Sequence, residues 1–207
     1  MIYETEIEDY LYRVTPERPS VLQEMEAYAE KKDFPIVGPL VGRFLYQMAK
    51  VTKARKVLEL GSGFGYSAYW LALGMGGRGK ITMIDGSEEN RSRALGYLER
   101  AGLETRFEFK VGDALAVLSE IDKEFDIVFN DIDKTGYPAT IDPVAKRLRR
   151  GGLFITDNAL WSGQVCETDQ DVDTRAIVEF TRELYADTRF FTTILPLRDG
   201  LAVAVRL

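Results

Sequence analysis

The stretch Lys56-Val-Leu-Glu-Leu-Gly-Ser-Gly-Phe-Gly-Tyr-Ser-Ala68 decides how the rest of the chain is read. Val57, Leu58 and Leu60 make an apolar run of strand length, too short for a helix of its own. It ends in Gly61, Gly63 and Gly65, and an amphipathic segment from Tyr66 to about Met75 follows. Strand, glycine turn and helix are the first half of a βαβ unit. Glycines here allow a sharp turn and let a ligand lie against bare peptide. A dinucleotide loop has the spacing G-x-G-x-x-G, whereas here the third glycine comes one residue early, as G-x-G-x-G. Glu59, two positions before the first glycine, would repel a pyrophosphate but suits a cationic or hydroxyl-bearing ligand. Glycines also collect at strand-to-helix turns for packing alone, so the loop points to a ligand without naming it.

Outward from this loop, strands and helices alternate. Upstream, residues 17–32 carry Val21, Leu22, Met25 and Tyr28 at helical spacing. Val37, Leu40, Val41, Phe44, Leu45, Met48 and Val51 then keep an i, i+3, i+4 stripe. Downstream, strands are expected at 80–85, 106–111, 125–130 and 153–156. Helices are expected at 87–101, with Ser87 as N-cap and Gly102 as stop, and at 113–121, 137–150 and 171–186. Residues 190–195 and 201–206 pair around Arg198-Asp199-Gly200 as a terminal hairpin. The pattern predicts an α/β fold: a Rossmann-like, seven-stranded, mostly parallel sheet with helices on both faces and an antiparallel C-terminal hairpin strand. At 207 residues it reads as one domain, an N-terminal helical cap over 1–52 and an α/β core over 53–207.

Composition narrows the function. The chain has 27 basic and 33 acidic residues, a net charge of −6, which argues against a nucleic-acid partner. Lys146, Arg147, Arg149 and Arg150 cluster before Gly151-Gly152 and read as a solvated helix C-terminus. One cysteine, Cys166, excludes an internal disulfide and fits a reducing compartment. The acidic stretch from Met1 to Tyr10 has no apolar core of a signal peptide, and no apolar run approaches the ~20 residues that span a bilayer. A cytoplasmic protein without membrane contact is expected. There is no histidine, so imidazole triads and imidazole metal sites are excluded, and any general base is Lys, Asp, Glu or Tyr.

In open α/β sheets, ligands bind beyond the carboxyl ends of the strands, and an acid falls at or near each of those ends. Glu59, Asp85, Asp113, the pair Asp131 and Asp133, and Asp157-Asn158 follow the five strands in turn. Helix capping accounts for some of these, and Asp113 divides equally between cap and ligand. Capping does not need two acids around Ile132 or the Asp157-Asn158 pair. Asp85 stands where a nucleoside-binding fold places an acid on ribose hydroxyls. Asp131, Asp157 and Asn158 bring together hard oxygen donors of the kind that Mg²⁺ takes.

The G-x-G-x-G loop resembles motif I of the class I S-adenosylmethionine (SAM)-dependent methyltransferases. Phe129-Asn-Asp-Ile-Asp-Lys-Thr-Gly-Tyr137 is similar to the F-[IV]-D-A-D-K-x-x-Y segment, and Asp157-Asn-Ala-Leu-Trp-Ser-Gly-Gln-Val165 to the D-N-x-L-W-x-G-x-V segment, of the cation-dependent O-methyltransferases. This is the family of catechol and caffeoyl-CoA O-methyltransferases, and the similarity runs from about Pro16 to the terminal hairpin. The resemblance implies a metal held by Asp131, Asp157 and Asn158, with Lys134 as general base beside it and Asp131 at the reacting centre. It implies SAM contacts at Glu59, Gly61, Ser62, Ser67, Asp85, Ala114 and Asp133, and the expected set extends to Val37, Gly63, Gly65, Gly86, Asp113 and Asp131. Asn130 and Ile132 depart from the family pattern at the pocket floor. The segment between Val165 and Thr174 is shorter than in plant enzymes that accept CoA thioesters, which argues against a CoA-linked substrate. Relatives are often dimers, so a homodimer is expected.

The implied chemistry is methyl transfer from SAM to a hydroxyl of a small catechol-like acceptor, with Mg²⁺ or another divalent cation lowering the hydroxyl's pKa. Lys134 takes the proton if its surroundings bring its pKa toward neutrality. Trp161, Tyr137 and Tyr66 are candidates for an aromatic wall. A nicotinamide-dependent oxidoreductase is disfavoured by the glycine spacing and the carboxylates, and a non-catalytic SAM-binding protein by the intact Asp131, Lys134, Asp157, Asn158 set. A methyltransferase acting on a non-catechol acceptor stays open; one acting on nucleic acid is disfavoured by the charge.

Overall fold

The computed structural model describes residues 5–76, 78–103 and 106–207. The first four residues of the acidic N-terminal stretch read above lie outside these. Three helices, α1 (Thr5–Val14), α2 (Ser20–Lys32) and α3 (Gly38–Val51), precede β1 (Lys56–Leu60). The chain continues through α4 (Tyr66–Gly74), β2 (Lys80–Asp85), α5 (Glu88–Arg100), β3 (Phe107–Val111), α6 (Ala114–Glu120) and β4 (Phe125–Asn130). It ends with α7 (Tyr137–Arg147), β5 (Leu148–Thr156), α8 (Val172–Ala186), β6 (Phe190–Leu195) and β7 (Leu201–Arg206). The sheet order is β3-β2-β1-β4-β5-β7-β6, parallel except where β7 meets β5 and β6. This is the sheet the alternation predicts. Among the described residues no helix is long and apolar enough to cross a membrane.

Side-chain alternation along the central strands builds two cores. Val57, Ile127, Phe129 and Ile155 face the layer that holds α2 to α5, while Leu58, Leu60, Val128 and Phe154 face α6 to α8. Strands buried on both sides need apolar residues at every position, so the buried Glu59, Asn130 and Thr156 stand out.

Two readings are corrected. α4 is not amphipathic: Tyr66 to Ala72 are all buried, because α3 covers its outer face. The helices approach closely through glycines, since a Cβ on Gly42 would lie 2.3 Å from the Trp70 ring and one on Gly74 would lie 2.4 Å from the Tyr46 carbonyl oxygen. The helix expected over 137–150 ends at Arg147, and Leu148 already pairs with Phe125 as strand. The register slips between Phe125 and Ile127, and Gly151 turns through φ +73°, as a bulge requires. Only Lys146 and Arg147 of the basic cluster therefore lie in a helix end. Arg149 pairs with Asp126, which also accepts the backbone N–H groups of Arg55 and Lys56 at 2.7 and 2.8 Å.

Candidate active site

The strand order reverses between β1 and β4, and the crevice above such a switch point is where an open α/β sheet takes its ligand. A cavity of about 740 Å³ lies there, lined by the loops that follow β1 to β5. Three of these loops, after β1, β4 and β5, are fastened to a neighbouring strand at the point of departure. The Gly61 and Ser62 N–H groups both donate to the Ile84 carbonyl at 2.9 Å, Asp131 N–H donates to Leu60 at 2.9 Å, and Asp157 N–H donates to Asn130 at 3.1 Å.

At one end the glycine loop is rigidly built. Gly61 adopts φ +80°, and a Cβ there would lie 2.2 Å from the Asp131 carbonyl oxygen, so the β1 and β4 loops touch backbone to backbone. Gly63 donates its N–H to Asp85 Oδ2 at 2.9 Å, while Asp85 Oδ1 accepts from Ser87 N–H and Asn90 Nδ2, each at 2.9 Å. Gly61, Ser62, Gly63 and Ser67 line the cavity, as do Asp85 and Gly86 after β2. Asp113 and Ala114 line it after β3, and Val37 from the start of α3. Of the two roles weighed for Asp113, the cap is formed: its carboxylate accepts the Ala116 N–H at 2.8 Å at the start of α6, while the residue also borders the cavity.

Glu59 and Gly65 do not line the cavity. Glu59 is wholly buried behind the loop, where Oε1 accepts the Ser67 hydroxyl and Oε2 has no partner among the described residues. Burial pushes its carboxyl up to about 8, against the pull of the Ser67 hydroxyl. It therefore acts on the cavity through Ser67. Gly65 serves packing: at φ +88° it starts α4, and a Cβ would press on Met83 at 3.0 Å and Ala94 at 3.3 Å.

At the other end five polar side chains converge. Asp131, Asp133, Asp157 and Asn158 line the cavity with Lys134. Lys134 Nζ donates to Asp131 Oδ1 at 2.9 Å and to the Ile132 carbonyl at 3.3 Å, and lies 5.0 Å from the Tyr137 ring centroid and 5.5 Å from that of Trp161. Asp157 is 1% exposed, and its Oδ1 has no hydrogen-bond partner among the described residues. Burial first, then the neighbouring Asp131 charge, push the Asp157 carboxyl well above the ordinary aspartate range. Asn158 sits at φ +57° and donates Nδ2 to Asp199 Oδ2 at 3.1 Å, which leaves its amide oxygen for another partner. Four of the six non-glycine residues with positive φ among the described residues belong to this end: Asn158, Trp161, Ser162 and Arg198. Such clustering is typical of functional sites. Among the described residues no three His, Cys, Asp or Glu side chains form a metal cluster, and the set here is two carboxylates and a carboxamide.

Of the aromatic candidates, Trp161 and Tyr66 line the cavity and Tyr137 does not. Tyr137 is fully buried and donates its hydroxyl to the Asp157 carbonyl at 3.1 Å, so it props up the β5 end from beneath. Tyr66 is held by donation to Glu26 Oε1 at 2.6 Å, and Arg18 clamps the same carboxylate. The sequence reading missed Phe34 and Ile36, from the α2–α3 connection, and Arg198, from the β6–β7 turn. A turn reads as a turn in sequence; nothing local says that it folds back over a distant strand end.

Comparison with known proteins agrees with this architecture. The O-methyltransferase family model matches residues 13–207. Caffeoyl-CoA O-methyltransferase 2 of Populus trichocarpa is 31% identical, over 94% of this chain and 85% of the relative. An O-methyltransferase from Bacillus cereus, solved in complex with SAH, superposes with a TM-score of 0.89 at 31% identity, covering 98% of both chains. The O-methyltransferase TomG from Streptomyces achromogenes, solved in complex with SAM, does so with a TM-score of 0.88 at 25% identity, covering 97% of this chain and 96% of that one. With a match that spans every strand bordering the cavity, the chain belongs to the O-methyltransferase family.

Proposed function

We propose that this O-methyltransferase moves a methyl group from SAM to a hydroxyl of a small catechol-like, or other vicinal-diol aromatic, acceptor, with a divalent cation held by Asp131, Asp157 and Asn158. The observation that carries the reading is the buried Asp157 Oδ1 without a partner, beside a second carboxylate whose present counter-charge is the Lys134 ammonium. A buried carboxylate oxygen left unmatched is costly, and a hard cation would satisfy it. Two carboxylates and an amide oxygen suit Mg²⁺, which fills its remaining positions with water or substrate.

The glycine end suits SAM. Gly61, Ser62 and Gly63 bring the loop backbone to the cavity wall. Asp85 already accepts three N–H donors, leaving about one of a carboxylate's four acceptor sites for a ribose hydroxyl. SAM in place supplies an electrophilic methyl, and the cation supplies Lewis acidity toward the acceptor hydroxyl. The chain's own residues do the rest. Asp131 orients Lys134, whose Nζ stands at the cavity wall, where in its neutral amine form it would receive the acceptor proton. Trp161 and Tyr66 provide apolar walls that limit water, and holding two reactants in one cavity supplies much of the acceleration.

The test is transfer of labelled methyl from SAM to caffeate, with Mg²⁺ and then with EDTA. Transfer abolished by EDTA and restored by Mg²⁺ is expected. Transfer indifferent to EDTA would sink the metal assignment and leave the methyltransferase standing.

A further inference from the structure

We propose that Arg198 is the acceptor's specificity determinant, and that it selects diols carrying a carboxylate. The inference rests on the methyl-transfer reading for the identity of the site, and adds the charge class of what the site takes.

Arg198 lines the same cavity as Asp157, Asn158, Lys134 and Trp161. The two cavity cations differ in how they are engaged. Lys134 is committed to Asp131 and the Ile132 carbonyl, whereas the half-buried Arg198 guanidinium makes no hydrogen bond or ion pair among the described residues. Its neighbour in the turn, Asp199, accepts Asn158 Nδ2 at 3.1 Å. Arg198 thus belongs to the end away from Asp85, where an acceptor rather than the nucleoside of SAM would lie.

The turn itself does not explain an arginine. Residue 198 adopts φ +52° in a tight turn closed by Leu197 N–H to Leu195 at 2.8 Å and Gly200 N–H to Leu197 at 2.9 Å. A glycine or asparagine would suit that backbone better. The turn is pinned over the site, because Asp199 binds Asn158 Nδ2, Ala159 N–H donates to Gly200 at 2.9 Å, and a Cβ on Gly200 would lie 2.5 Å from Leu160. A strained backbone locked against the metal-ligand loop, carrying an unengaged planar cation into the cavity, is a carboxylate receptor by construction. Serving only as counter-charge to Asp157 would favour direct ion pairing, and none is formed.

The experiment is calorimetric titration of 3,4-dihydroxybenzoate and of 3,4-dihydroxybenzyl alcohol into the full chain with SAH and Mg²⁺, using wild type, Arg198→Met and Arg198→Lys. Wild type should favour the acid by at least about tenfold, as a charge-assisted hydrogen-bonded pair implies. Arg198→Met should bring the ratio within about twofold, and Arg198→Lys should keep part of it. A wild type without preference, a preference that survives in Arg198→Met, or no binding of either diol overturns the inference. An equal loss of SAH affinity in Arg198→Met also overturns it, by placing the guanidinium on the cofactor's carboxylate. If the preference and its loss hold but labelled SAM methylates neither diol, the anion site stands and the catechol-acceptor reading falls.

Discussion

The two ends of the cavity are built on opposite principles. At the glycine end, most polar groups are already engaged: Asp85 takes three N–H donors, and Gly61 and Ser62 both donate to Ile84. At the β4–β5 end they are left open: among the described residues an oxygen of the buried Asp157 is unmatched and Asp131 is balanced only by a lysine. A site that accepts a large, invariant ligand gains from backbone rigidity, which lowers the entropy lost on binding. A site with the proposed work of binding a cation, meeting a variable acceptor and handling a proton keeps its valences unfilled until the reactants arrive. The contrast implies that substitutions at the open end should remove chemistry and spare the fold, while those at the saturated end should remove the fold's precision first.

Asp157→Ala is the largest test. With Asp157 in the proposed cation-binding role, its loss should remove several kcal/mol of transition-state stabilisation, roughly 10³-fold in kcat/KM or more. SAH affinity should be kept, and Tm should hold or rise, because the substitution deletes a buried acid whose Oδ1 has no partner. A variant that unfolds instead would mean that the carboxylate is structural, and the contrast between the ends would collapse.

Gly61→Ala tests the saturated end. A Cβ 2.2 Å from the Asp131 carbonyl oxygen, on a residue at φ +80°, has no side-chain tip to yield. Strain and overpacking together should cost about 3 kcal/mol, or about 6–12 °C in Tm. Gly86→Ala is the control: it lines the same end, has nothing within 4 Å of an added Cβ, and should change stability by less than about 0.5 kcal/mol. Equal behaviour of the two would show that the loops are not held backbone to backbone.

How much of this was legible follows from where each part gets its information. The sheet and the row of strand-end acids are local: a glycine turn after an apolar run, and an acid where each strand stops. The places that failed are those decided by another segment. The segment from Tyr66 to about Met75 reads as amphipathic from its place after the glycine turn, although Tyr66-Ser-Ala-Tyr-Trp-Leu-Ala-Leu is apolar all round, the mark of a helix buried on every side. The end of α7 was misplaced because no glycine stops it before Gly151, and only pairing with β4 makes 148–150 extended. Tyr137 was read as cavity wall because its position in the motif says nothing about its rotamer, and it points beneath Asp157. Arg198 gave no signal, since a hairpin turn does not announce which strand end it will cover.

Glu59 supplies the smallest test and the finest one, because it is an acid at the saturated end that is not saturated: Oε2 has no partner among the described residues. Burial raises its folded pKa from 4.5 to about 8. The folded chain therefore holds a proton that the unfolded chain releases above pH 4.5, and stability falls as pH rises toward 8. One extra proton bound corresponds to about 1.4 kcal/mol per pH unit. Between pH 5.5 and 7.5, wild type should thus lose roughly 2 kcal/mol relative to Glu59→Gln, which keeps an oxygen for the Ser67 hydroxyl and cannot ionise. The variant should melt with the flatter pH profile when ligand-free chains are compared by calorimetry. Parallel profiles would mean that Glu59 meets water or a counter-charge in solution. The glycine end would then be as open as the β4–β5 end, and the division of labour between them would rest on the backbone alone.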